Sequence, residues 1–138
     1  MADIKQLTDD IYTIASGVSG ISDVYYGDAP QDSDGTAVVS YPYIVFEILA
    51  SPRDRDTGNK YPVVKIQFDL LAQSYAVATS KTSSLEAALD VMSSYSMTNF
   101  NLLDVWNDWT KGPFSVPSDD NDYLWQVVLQ YTYKLQEK

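Results

Sequence analysis

Leu124-Trp125-Gln126-Val127-Val128-Leu129-Gln130-Tyr131-Thr132-Tyr133-Lys134-Leu135 is the stretch that decides the fold. Trp125, Val127, Leu129, Tyr131, Tyr133 and Leu135 fall on one side of an extended chain, whereas Gln126, Gln130, Thr132 and Lys134 fall on the other with Val128. Alternation of this length, in β-branched and aromatic residues, predicts a strand with one face in a core. Val64, Ile66, Phe68 and Leu70 alternate with Lys65, Gln67 and Asp69 in the same way and predict a second half-buried strand. Tyr43 to Ala50 is apolar at nearly every position, which predicts a strand buried on both faces.

The helices are read from a different period. Ile4, Leu7, Ile11 and Ile14 recur at steps of three and four and share one helical face, with Asp3 placed to cap it and Gly17, Ser19 and Gly20 to stop it. Ile21 to Tyr26 then reads as a short extended piece, and residues 27–40 as a loop rich in Gly, Pro, Asp and Ser. The main helix is expected over 74–94, with Ala78, Leu85, Ala88, Leu89 and Met92 on its stripe. The box formed by Ser83 and Glu86 offers an alternative start at Ser83. Phe100 to Trp106 reads as a short strand and Lys111 to Asp122 as a loop with two prolines and an acidic tip. Between the two middle strands, Ser51-Pro52-Arg53-Asp54-Arg55-Asp56-Thr57-Gly58-Asn59-Lys60-Tyr61-Pro62 reads as a long hairpin arm whose charges alternate in sign and favour water. Together these elements predict a single α+β domain over residues 1–138. Its sheet is mostly antiparallel or mixed, of four to five strands, with helices packed on one face.

Composition narrows the chemistry. The chain has 138 residues, enough to build a core without staples. It has no cysteine and no histidine, so disulfides, thiolate or imidazole metal sites and Ser-His or Cys-His nucleophiles are excluded together. Nineteen acidic residues against nine basic ones leave a net charge of −10. A surface this negative repels the phosphate backbone and anionic membranes, because both rely on Lys and Arg for affinity. With no signal-like start and no apolar run near the ~20 residues that span a bilayer, a cytoplasmic protein is expected, with no membrane partner.

The constellations that remain are few. Aspartates at 28, 32 and 34 before Gly35 resemble part of a calcium loop, but that register puts Pro30 and Tyr41 at the two ends, where carboxylates are needed. Asp119, Asp120 and Asp122 lack the glycine and terminal glutamate of such a loop. Glu47 and Asp69, on adjacent strands, could serve a carboxylate-based hydrolase. The plainer role for either is an ion pair with Lys65 or an arginine of the arm. Phosphate-cradling glycine motifs are missing, and no cofactor is expected.

What stands out is contact surface. Eleven tyrosines and three tryptophans exceed what one small core absorbs, and the interface candidates are Tyr25, Tyr26, Tyr41, Tyr43, Tyr61, Tyr95, Trp106 and Trp109. Arg53 and Arg55 are the only arginines, and both lie in the arm. Arginine makes forked bonds to carboxylates, so such an arm beside an acidic body suits a head-to-tail contact between subunits.

Tyr41-Pro42-Tyr43-Ile44-Val45-Phe46-Glu47, the charged hairpin, Val64 to Ala72, the helix opening Ser74-Tyr75 and the Trp/Tyr-rich final strand together resemble the tail terminators of long-tailed bacteriophages. These are the tail-completion, or neck, proteins. The resemblance covers about residues 1–135 in element order, and the 96–122 region is longer and more aromatic than the family pattern. It implies a non-enzymatic α+β virion protein that forms a hexameric ring and caps the head-proximal end of the tail tube. Such a ring ends tube polymerisation and docks the head connector. Its implied partners are itself, the tail tube protein and the head-to-tail connector protein, with DNA passing through unbound. It implies a place in the virion tail, after assembly in the host cytoplasm. It also implies that the arm, with Arg53, Asp54, Arg55, Asp56, Lys60 and Tyr61, reaches a neighbouring subunit or the tube. Acidic residues, either Asp28, Asp32 and Asp34 or Asp119, Asp120 and Asp122, would line the lumen or an axial face. Another neck component, on the head-completion or connector side, is the alternative within the same setting.

Overall fold

The computed structural model describes residues 4–27, 40–50, 63–90, 100–117 and 123–137. The chain order is α1 (Ile4–Ser16), β1 (Asp23–Tyr26), β2 (Tyr43–Ala50), β3 (Val63–Ala72), α2 (Tyr75–Asp90), β4 (Phe100–Pro117) and β5 (Tyr123–Glu137). The five strands form one sheet in the order β1-β2-β3-β5-β4. β1 runs parallel to β2 and every other pair is antiparallel, so the sheet is mixed, as the alternating strands led one to expect. The Ser22 amide donates to the Pro42 carbonyl at 2.8 Å, and the Ser22 hydroxyl to the Tyr41 carbonyl at 3.0 Å. These bonds clamp the starts of the parallel pair together.

Both helices lie on one face. Leu7, Ile11, Ile14 and Ala15 of α1 and Ala78, Leu85 and Leu89 of α2 share a single core with Ile44, Phe46, Val64, Ile66, Phe68, Leu70, Val127, Leu129, Tyr131, Tyr133 and Leu135 of the sheet. Phe68 sits at its centre, stacked on Phe46 at 5.9 Å and edge-on to Tyr131 at 6.1 Å. The longer reading of the main helix is the correct one at its start, because the Val77 amide donates to the Ser74 hydroxyl at 3.2 Å and Ser74 is the cap. Glu86, instead of boxing with Ser83, accepts a hydrogen bond from Thr110 of β4 at 3.0 Å. Lys81 donates to the Ser19 carbonyl just past α1, at 3.2 Å, and so ties the two helices. No helix among the described residues is long and apolar enough to cross a membrane.

Two sequence expectations need correction. β2 is not buried on both faces: Glu47 and Leu49 are exposed, because the helices cover only the side that carries Ile44 and Phe46. The segment from Lys111 to Pro117, read as loop, continues β4 to a length of 18 residues. Its register against β5 shifts three times, between Leu102 and Asp104, Asn107 and Trp109, and Lys111 and Phe114. β4 is an outermost strand among those described, and an outer strand uses one side of its backbone for the ladder, so it tolerates Pro113 and Pro117.

Candidate functional site

The face of the sheet opposite α1 and α2 is where polar and aromatic side chains gather, and strand register sets its rows. One row runs Phe114, Gln126, Leu71, Tyr43 across β4, β5, β3 and β2. The next runs Lys111, Val128, Asp69, Val45, and reaches Tyr25 of β1. Below them lie Trp109, Gln130, Gln67, Glu47 and then Trp106, Thr132, Lys65. Neither of the two described helices packs on these rows, although Tyr43 and Thr132 within them are buried by neighbouring side chains. Trp106 and Phe114 are 43 % and 48 % exposed, which is high for side chains of their size.

Asp108 owes its place here to a bulge. The register skips it between Asn107 and Trp109, and its carboxylate lies over β5 and β3. One oxygen accepts from the Thr132 hydroxyl at 2.7 Å, the Gln130 amide at 3.0 Å and the Lys65 ammonium at 3.3 Å. Loss of solvent pushes its pKa up, but the hydrogen bonds from Thr132, Gln130 and Lys65 and the charge of Lys65 outweigh that and hold it below the usual carboxylate range. Lys111 lies over the Trp109 ring at 4.8 Å, a cation–π contact.

Asp69 is the opposite case. It is half-buried, and its donors are the long amide contacts from Gln67 at 3.4 Å and Gln126 at 3.5 Å. Burial raises its pKa, and the two glutamines only partly offset this. Beside it, Tyr43 is covered by Tyr25 at 6.0 Å and Tyr41 at 5.3 Å, and burial together with Tyr41, Tyr25 and the Asp69 charge raises its pKa.

The residues proposed from sequence are distributed unevenly. Glu47 and Asp69 share this face but stand diagonally, since Glu47 pairs with Gln67 and Asp69 with Val45. Lys65 pairs with neither of them, because Asp108 holds it. Of the aromatic candidates, Trp106 and Tyr26 are exposed and Tyr25 and Trp109 half-buried, while Tyr43 is buried. Exposed Tyr12 and Tyr75 were not among them. Arg53, Asp54, Arg55, Asp56, Lys60 and Tyr61 of the arm lie outside the described residues, as do Asp28, Asp32, Asp34, Asp119, Asp120, Asp122 and Tyr95. Among the described residues no group of three or more acidic side chains is arranged to hold a metal ion. Asp108 gave no signal in the sequence, since a bulge that re-aims a side chain leaves no mark on a broken alternation.

No family model and no curated protein matches the sequence. Among solved structures, the chain is similar to one from the virion of a native gene transfer agent particle, with a TM-score of 0.55 and 14 % identity. The match covers 96 % of this chain and 90 % of that one. The likeness extends over nearly the whole domain, so the fold is a shared one.

Proposed function

We propose that the chain is a non-enzymatic structural subunit of a phage-like particle, and that within it the protein is the tail terminator. Six copies would close a ring on the head-proximal end of the tail tube, end its polymerisation and receive the head connector. The observation that carries this reading is the nearly full-length likeness in fold to a chain from a virion particle. The resemblance of the strand and hairpin motifs to tail terminators points the same way, and so does an open sheet face set with aromatic side chains, which suits contact between subunits. A charge of −10 fits a ring through which DNA passes, since like charge removes the counterion release that would hold it.

The test is made on particles that lack the protein. Electron microscopy should show tails of abnormal length, and adding back the protein should restore uniform ones. Normal tails detached from full heads would move the protein to the connector side of the neck. The isolated or tube-bound protein should have an assembled mass of six times 15.4 kDa. A strict monomer, with and without the tube protein, would sink the ring.

A further inference from the structure

Charge is not spread evenly over the face of the sheet opposite α1 and α2. Lys65, Lys111 and Lys134, three of the four lysines whose side chains are described, lie on it, on β3, β4 and β5. Asp23, Glu47 and Asp69 lie on it toward the other edge, on β1, β2 and β3. Two of the lysines have carboxylates beside them, since Asp108 holds Lys65 and Asp104 stands opposite Lys134. Lys111 and Glu47 are left over, both exposed and neither in an ion pair among the described residues. They stand three strands apart, so about 14 Å of sheet separates them within one chain and they cannot meet. The aromatic rings divide in the same way, with exposed Trp106 and Phe114 on β4 against Tyr43 and Tyr25 on β2 and β1.

We infer that in the free protein this face packs on the same face of a second copy of this chain, about a two-fold axis that runs along the strands between β3 and β5. Such an axis exchanges β4 with β2 and β5 with β3, while each cross-strand row keeps its level. Phe114 then meets Tyr43 of the second copy, Gln130 meets Gln67, and Lys111 lands on Val45, between Glu47 and Asp69. Symmetry makes every such contact twice. An axis across the strands would instead set β4 on β4 and the acidic half on the acidic half, like charge on like. Two sheets packed in this way lie aligned and about 10 Å apart, a gap that a lysine and a glutamate bridge. The area is sufficient as well. Four strands at about 4.8 Å and the ten residues of β3 at about 3.4 Å give about 650 Å² per copy, and the resulting total of about 1,300 Å² falls within the range of specific contacts. The pairing does not rest on the ring reading, because an isologous contact stops at two copies and belongs to the chain off the tube.

The test reverses charges in full-length chains and reads the mass by sedimentation equilibrium. The free wild-type chain should have a mass of twice 15.4 kDa. Lys111→Glu and Glu47→Lys should each weaken the pair at least about tenfold, with circular dichroism unchanged, because each sets like charges together at two symmetric places. An equimolar mixture of the two variants should pair again, since every Lys111–Glu47 site then joins a Glu to a Lys, and mixing separate chains cannot restore a contact within one chain. A wild-type chain that stays monomeric at about 100 μM, its face covered from within or kept for another partner, overturns the inference. So does a mixture that associates no better than its components. Should Lys111→Glu not fold, Phe114→Ser changes an exposed side chain and must weaken the pair by itself, and unchanged association counts against the pairing. A free wild-type mass of six copies sinks the two-fold pair and leaves the ring reading standing, whereas a free pair that never caps a tube sinks the ring reading alone.

Discussion

Replacing Tyr133 by Phe removes a single oxygen from the core and leaves the ring. Tyr133 is fully buried, and its hydroxyl has no hydrogen-bond partner among the described residues. Burial pushes its pKa up, and the neighbouring Tyr131 and Asp90 push it further, so it stays a neutral hydroxyl. An unsatisfied buried hydroxyl costs about 1–3 kcal/mol, whereas the ring contacts that dominate the residue's contribution survive the substitution. The variant should therefore be more stable by about 1–2 kcal/mol, the reverse of what Tyr→Phe does where the hydroxyl is bonded. With a urea slope of about 2 kcal/mol/M, the unfolding midpoint should rise by about 0.5–1 M. An unfolding entropy near 2.1 cal/mol/K per residue places the rise in Tm at about 3–7 °C. Equilibrium unfolding followed by tryptophan fluorescence and far-UV circular dichroism measures both. A lower midpoint would refute the reasoning, because it would mean that the hydroxyl is bonded and contributes to the fold.

Asp108→Asn should cost about 1 kcal/mol at pH 7, since it weakens three hydrogen bonds to a carboxylate whose cation, Lys65, is itself well exposed. Because Asp108 has a lowered pKa in the fold, its contribution is complete above the ordinary carboxylate range and is lost as the pH falls through the folded value. Urea midpoints of the two proteins should thus converge toward pH 3, and a gap independent of pH would exclude the mechanism. Gly112→Ala should destabilise by about 1–3 kcal/mol in thermal melts, because φ is +108° and the new Cβ would stand 2.6 Å from the Gln126 carbonyl oxygen. Gly27→Ala, at φ +86° with nothing within 4 Å, should cost less, and equal losses at the two sites would remove the steric part of the account.

The core of the molecule was legible because one-sided burial leaves a period in the sequence. β5 and β3 show their buried residues at every second position, and α1 shows them at steps of three and four. β4 hid beyond Trp106 because its three register shifts break the alternation and its prolines imitate a loop. β2 misled for the opposite reason: Leu49 is apolar yet 46 % exposed, so composition alone suggested a second buried face. The open face was only half visible. Glu47 and Asp69 could be placed on neighbouring strands, but their diagonal offset depends on pairing register, which residue types do not encode. The commitment of Lys65 to Asp108 depends on a bulge 43 residues away in sequence.

β5 lies between β3 and β4 in space although it follows both in the chain. During synthesis β1, β2, β3 and both helices leave the ribosome before the strand that supplies Val127, Leu129, Tyr131, Tyr133 and Leu135 to their core. Until then β3 has a bare edge and β4 has no partner at all, and pairs such as Ile66 with Tyr131 must close a long loop at once. Folding is therefore expected to be slow, late and all-or-none, with collapse waiting for the completed sheet. Until β5 pairs, the open edge of β3 and the unpartnered β4 are the parts of the nascent chain most exposed to pairing with another chain, and it is β5 that closes both.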